Sequence, residues 1–294
     1  MGAVLLNHLL GLPEDEVFLA EESMEDLLGL PVTRQIIEAG IEADACIEIE
    51  GLGVAIHLSR PEEVWLMLTD RYSGTRILES LSREWREKGS RRVHLDERDL
   101  LLALIEYFSV SMADGLLCDA CPAGTSPTYI RDRIDRLKAF LGPMIPRERS
   151  ILEICCGSGM ATQALLELGH RPLSMDRDRC DLCQAIRCGL MDPRRCFVLD
   201  ARLLPAFFPP RSFDAVLGFM VGLIDEFNWP TWREIILKAS SLARETMILT
   251  VYTKKEAERI AKALLDAGWR GEVIDNRDQK GIYDQWAYWG ERLG

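Results

Sequence analysis

Residues Ile151-Leu152-Glu153-Ile154-Cys155-Cys156-Gly157-Ser158-Gly159 run from a short strand-forming stretch into a turn with two glycines, and MATQALLELG (160–169) continues with helical spacing. Gly157 and Gly159 let the backbone pass close to a ligand, and the start of the following helix presents free N–H groups. Such a turn suits a dinucleotide or another adenosine ligand. A dinucleotide fingerprint needs Gly or Ala three residues after the second glycine. The residue there is Thr162, so the match fails at the position meant for close helix–strand packing. Three acids stand where an adenosine ligand would use them. Glu153 lies inside the first strand, Asp176 ends the second, where a carboxylate accepts ribose hydroxyls, and Asp200 ends the third, where it can accept from an adenine amino group. One acid at a strand end is commonly just solvated; three on successive strands form a constellation.

The cysteines offer a second chemistry. There are nine, including the pairs Cys118/Cys121 and Cys180/Cys183, with Cys188 and Cys196 further on. CxxC spacing can ligate zinc or an iron–sulfur cluster. The 58-residue gap between the pairs fits no compact knuckle, however, and Cys180 and Cys183 fall one turn apart on a predicted helix. No metal site is expected, and an odd count in a long chain without a secretion signal argues against a disulfide framework. His57 and His170 read as structural. Core packing is the expectation for Trp229, Trp232, Trp286 and Trp289.

The elements that must position these residues alternate after residue 150. Strands are expected at 151–155, 172–176, 196–200, 213–220 and 246–252, with helices at 160–169, 178–190, 232–243 and 253–268. Residues 271–293 read as two strands about a turn near Gly281. This is an α/β pattern: a doubly wound, mostly parallel sheet in which ligands bind beyond the carboxyl ends of the strands. Residues 1–144 differ in texture. Helical spacing is read at 14–30, 61–70, 74–89, 96–117 and 128–140, and a hairpin at 45–58, so a mainly helical N-terminal domain (1–144) is expected to precede the ligand-binding domain (145–294).

ILEICCGSG, together with PLSMD, CFVLDARLLP and SFDAVLGFM, resembles the class I S-adenosylmethionine-dependent methyltransferase family, over about residues 145–294. The resemblance implies a Rossmann-like sheet of seven strands closed by an antiparallel hairpin, with S-adenosyl-L-methionine as cofactor. It implies that the loop Cys155, Gly157, Ser158, Gly159 wraps the methionine portion and that Glu153 sits near its amino group. Asp176 would hold the ribose and Arg177 line the adenosine; Asp200 and the backbone of Ala201 would receive the adenine, and Phe219 would flank the site. The chain departs from the family at Cys155, where a glycine is usual. It also lacks the Asn/Asp-Pro-Pro-Tyr run after the fourth strand, which lowers exocyclic base and glutamine amides as acceptors.

The acceptor, a small molecule or a protein, is not identified by these residues, nor is a catalytic base; Asp225, Glu226, Tyr252 and Tyr283 fall near the predicted mouth. A non-catalytic binding or scaffold protein that retains the fold is the alternative. Were part of the cofactor pocket to lie before residue 145, the helix near Tyr129 would be the first suspect. The net charge of −12 is concentrated in residues 1–70, which carry 15 acids against Arg34 and Arg60, leaving about +1 for the rest. That field repels phosphate backbones, so no nucleic acid is expected as partner. No apolar run approaches the roughly 18 residues of a membrane span and no leader is evident, so a cytoplasmic protein with no membrane partner is expected.

Overall fold

The computed structural model describes residues 4–60, 63–79, 91–117, 129–279 and 281–293. They form two compact units, Met1–Ala120 and Cys121–Gly294.

The first unit carries a five-stranded sheet rather than a mainly helical fold. Its strands are β1 (Val17–Leu19), β2 (Ala45–Ile49), β3 (Gly53–Leu58), β4 (Val64–Leu68) and β5 (Arg91–Val93), in the order β1-β4-β3-β2-β5. The hairpin read at 45–58 is β2 and β3, paired Ala45 to His57 through Ile49 to Gly53. The stretch 61–70, expected to be helical, contains β4. Val64-Trp65-Leu66-Met67-Leu68 is a continuous apolar run that a helix and a buried strand share equally, and pairing with β3 on one side and β1 on the other decides it. The same pairing draws Val17–Leu19 out of the helix expected over 14–30. The helix Pro31–Ala39 then packs Ile36 against Val54, Ile56 and Leu68. The helix expected at 96–117 is present as Glu97–Ala113, capped by Asp96, whose carboxylate accepts from the Arg98 N–H at 2.7 Å. Most of 74–89 lies outside the described residues.

The second unit is a seven-stranded sheet of β6 (Ile151–Ile154), β7 (Leu173–Asp176), β8 (Cys196–Val198), β9 (Phe213–Gly218), β10 (Ala243–Val251), β11 (Trp269–Asp275) and β12 (Trp286–Arg292), in the order β11-β12-β10-β9-β6-β7-β8. Only β12 runs against the rest, inserted between β10 and β11. The Rossmann-like sheet and its closing hairpin match the expectation. The chain winds one way through β6, β7 and β8, then returns to start β9 on the other side of β6. The order therefore switches between β6 and β9, and there the turns after the two strands diverge to leave a crevice.

The unit boundary falls at residue 120, not 144. The helix Arg131–Leu141 buries Ile134, Leu137 and Leu141 against Ala161, Ala164 and Leu165 of the helix Met160–Glu167, in a cluster that includes Ile151 and Leu217. It therefore belongs to the core of the second unit. Among the described residues, no helix is long and apolar enough to cross a membrane.

Candidate functional site

The turn after β6 is built on left-handed backbone. Cys155, Gly157 and Gly159 have φ of 54°, 53° and 83°. At Gly159 a Cβ would lie 2.7 Å from the Met191 Sδ, so a side chain there would be strained in conformation and would have to displace Met191. Cys155 occupies the left-handed region without that freedom, a strain of roughly 1–2 kcal/mol. Asp176, at the end of β7, holds the turn: its Oδ2 accepts from the Gly157 N–H at 2.7 Å and its Oδ1 from the Asp178 N–H at 2.8 Å. A carboxylate offers about four acceptor positions, so two remain for other donors. The Ser158 carbonyl accepts from the Tyr129 hydroxyl at 2.8 Å. Burial pushes that phenol up to about 12, which keeps it a donor.

Glu153 lies beneath the turn and is fully buried. Its Oε2 accepts from the Thr162 and Ser174 hydroxyls, each at 2.7 Å, while its Oε1 is buried with no partner. Burial raises its pKa to about 7, more than the two hydroxyl donors and the nearby Arg133 lower it. Thr162, which breaks the dinucleotide fingerprint, is thus the donor that holds a strand carboxylate.

At the ends of β6, β7 and β8 a cavity of about 240 Å³ is lined by Cys155, Met175, Arg177, Leu199, Asp200, Ala201 and Arg202, and on its other side by Asn228, Thr231, Trp232 and Ile235. Asp200 caps the short 3-10 turn Ala201–Leu203 through the Arg202 N–H (2.9 Å) and pairs with the Arg202 guanidinium at 2.6 Å. That side-chain hydrogen bond from Arg202 is the main reason its carboxyl sits below the usual range. The structure therefore brings Cys155, Arg177, Asp200 and Ala201 into one wall, with Asp176, Gly157, Ser158 and Gly159 in the adjoining turn. Phe219 is not brought there: its ring packs with Ile134, Ala161, Leu217 and Ile248 in the core cluster.

A second polar group at the same sheet edge has its members far apart in sequence. Arg133, on the helix Arg131–Leu141, pairs with Asp284 (Nε to Oδ2, 2.6 Å), and both are buried. Asp284 also accepts from the Thr250 hydroxyl at 2.6 Å, and the Met220 N–H donates to that hydroxyl oxygen at 2.8 Å. Met220 and Asp284 both have positive φ, 53° and 57°. The Arg133 guanidinium lies 4.9 Å from the Tyr283 ring centroid, and the Tyr283 and Tyr252 rings are 6.5 Å apart. Arg133 sits at the helical spacing of the buried residues Ile134, Leu137 and Leu141, a charge on an apolar face; that was the available signal. Of the acids near the mouth, Asp225 is taken up by the Phe227 and Asn228 N–H groups, both at 2.9 Å, and Glu226 is exposed, 3.9 Å from Lys255 and Arg259.

Cys118 and Cys121 lie outside the described residues. Cys180 is exposed and Cys183 buried on the helix Arg179–Arg187, and among the described residues no group of three or more His, Cys, Asp or Glu is placed to hold a metal ion.

This edge fits an adenosyl group. Asp176 retains acceptor capacity, the cavity pairs buried apolar side chains with a carboxylate, and Glu153 keeps an oxygen with no partner among the described residues below the turn. The cavity is smaller than the roughly 300–1,000 Å³ of a whole small-ligand pocket, as suits one end of such a molecule.

No family model matches the chain, and no curated protein matches it. Solved structures do. The chain is similar to an S-adenosylmethionine-dependent methyltransferase from Archaeoglobus fulgidus, at 12% identity and TM-score 0.42 over 55% of this chain and 94% of that one. It is similar to magnesium protoporphyrin IX methyltransferase from Synechocystis PCC 6803, with bound cofactor, at 16% identity and TM-score 0.43 over 68% and 98%. It is also similar to the 1,6-didemethyltoxoflavin-N1-methyltransferase of Burkholderia thailandensis, at 13% identity and TM-score 0.44 over 85% and 100%.

Proposed function

We propose that the chain is an S-adenosylmethionine-dependent methyltransferase acting on a small-molecule or protein acceptor. The single observation that carries this reading is the crevice where strand order switches, between β6 and β9. There a glycine turn pinned by Asp176 adjoins a cavity holding Asp200, Arg177 and Ala201. Asp176 would hold the ribose, Asp200 and Ala201 the adenine, and the Cys155–Gly159 turn and Glu153 the amino-acid end.

The bound cofactor supplies a methyl group on a positively charged sulfur, already activated toward a nucleophile. The chain's own residues then align and enclose. Orienting a nucleophile against a fixed partner is worth roughly 7–11 kcal/mol of barrier in favourable cases. The Asp176–Gly157 bridge and the Tyr129–Ser158 bond hold the turn that does the orienting. Met175 and Leu199, both buried, give the strand side of the cavity an apolar surface. A proton acceptor is required only where the nucleophile arrives protonated, and Asp225 is already committed to the loop.

Native mass spectrometry of the full chain with S-adenosylmethionine or S-adenosylhomocysteine tests the reading. A one-to-one adduct is the expected result; no adduct with either, from protein shown to be folded, overturns it. Consumption of the first compound in the presence of candidate acceptors then separates turnover from binding.

A further inference from the structure

One wall of the cavity comes from neither the glycine turn nor the strand ends. It is the first two turns of the helix Trp229–Leu242, through Thr231, Trp232 and Ile235. We infer that the Trp232 indole is the stacking surface for the purine of the adenosyl ligand, and that Gly222 sets the indole in place. This rests on the methyltransferase reading above.

Three features of the structure carry the assignment. The cavity is a slot with apolar sides: Met175 and Leu199, buried at the ends of β7 and β8, form one, and the half-buried Trp232 and Ile235 form the other. The charged groups, Arg177, Asp200 and Arg202, belong to the strand side, and the helix side adds the Thr231 hydroxyl and the Asn228 amide. A flat heterocycle with polar edges fits that distribution: its faces meet apolar groups and its edge meets the carboxylate.

The indole is also held from behind. Gly222 has φ of 122°, and a Cβ there would lie 2.7 Å from the Trp232 Cζ2. The loop after β9 thus presses bare backbone on the benzo edge of the ring, which any side chain would displace.

Finally, the loop and helix start are locked as a unit. Asp225 N–H donates to the Asn228 Oδ1 at 2.9 Å, and the Asn228 amide donates to the Leu223 carbonyl at 2.7 Å. The Ile224 N–H donates to buried Glu256 at 2.8 Å, and the Arg259 guanidinium to the Asp225 carbonyl at 2.9 Å. Asn228 is spent on the loop and is a positioning residue. Trp232 is the side chain on this wall with a large flat face to offer. Trp229, one turn earlier, does not line the cavity; its ring is covered by Arg259 at 5.6 Å.

The test titrates S-adenosylhomocysteine and adenosine into the full chain, followed by calorimetry and by tryptophan fluorescence. In the unsubstituted protein both ligands bind and change the fluorescence. Trp232→Phe, which keeps an aromatic face, binds within about threefold but loses the fluorescence change, whereas Trp229→Phe keeps both. Trp232→Ala weakens both ligands by about 10- to 100-fold, the range that base stacking on an aromatic side chain commands. Gly222→Ala weakens them in the same direction. If the unsubstituted chain binds but Trp232→Ala binds equally well, or Trp232→Phe keeps the full fluorescence change, the role of Trp232 is refuted while the methyltransferase reading stands. If the unsubstituted chain binds neither ligand, both fall.

Discussion

Replacing Glu153 by Gln should remove a pH dependence that the fold now carries. An ordinary glutamate titrates near 4.5, whereas Glu153 is fully buried, with one oxygen unpartnered, and is pushed up to about 7. Between these values the unfolded chain has lost the proton that the folded chain keeps. The folded state binds more protons in that window, so stability falls as pH rises through it and levels off above about 7. At roughly 1.36 kcal/mol per pKa unit, the loss is about 3 kcal/mol. Glu153→Gln has nothing to titrate. Its stability relative to the unsubstituted chain should therefore climb by about 3 kcal/mol from pH 4.5 to 7.5. A pH-independent offset of roughly 1–3 kcal/mol, from burying an amide N–H₂ where Oε1 lay, shifts the whole curve. Urea unfolding at a series of pH values, followed by tryptophan fluorescence, measures this. Five of the seven tryptophans, Trp229, Trp232, Trp269, Trp286 and Trp289, lie in the second unit, so the signal reports chiefly on it. Other titrating groups, including His170 with its lowered pKa, cancel in the difference. A flat difference curve would refute the claim that burial holds the Glu153 proton.

Cys155→Gly should leave stability unchanged or raise it by up to about 1 kcal/mol, because relief of left-handed strain is partly offset by glycine's chain entropy; a clear loss in thermal unfolding contradicts this. Arg133→Met should cost about 3–5 kcal/mol by leaving Asp284 charged and buried, and Arg133→Met with Asp284→Leu should recover much of it. Equal losses in urea unfolding of the two variants would show that the pair is not the source. Asp176→Ala and Asp200→Ala should each weaken S-adenosylhomocysteine by about tenfold or more, as expected for loss of a charged hydrogen-bond acceptor. Unchanged calorimetric affinity in both would place the ligand elsewhere.

The second unit was legible in the sequence because its strands are short, buried and separated by amphipathic helices. ILEIC, PLSMD and TMILTVY have few alternatives when each is bounded by a turn or helix signal, and the antiparallel end followed from the missing helix between β11 and β12. The first unit was less legible. Val64–Leu68 is apolar at every position, so periodicity could not separate strand from helix, and the decision came from β3 and β1. Within the site, local motifs announced Gly157, Asp176 and Asp200. Arg133 and Asp284 are 151 positions apart and announced nothing as a pair. Trp232 was visible as an aromatic residue, but core packing and cavity lining look alike until Gly222 and the strand ends are in place. Phe219 shows the converse, since a residue directly after β9 reads as mouth-lining and instead turns inward to the cluster around Ile134 and Leu217.

A crystal structure of the full chain with S-adenosylhomocysteine would show whether the adenosyl ligand sits in the crevice between β6 and β9. The adenine is expected between Trp232 and the Met175–Leu199 side, the ribose on Asp176, and the amino-acid end at the Cys155–Gly159 turn. Ligand density anywhere else, or a crevice between β6 and β9 that stays empty at saturating ligand, would contradict this placement.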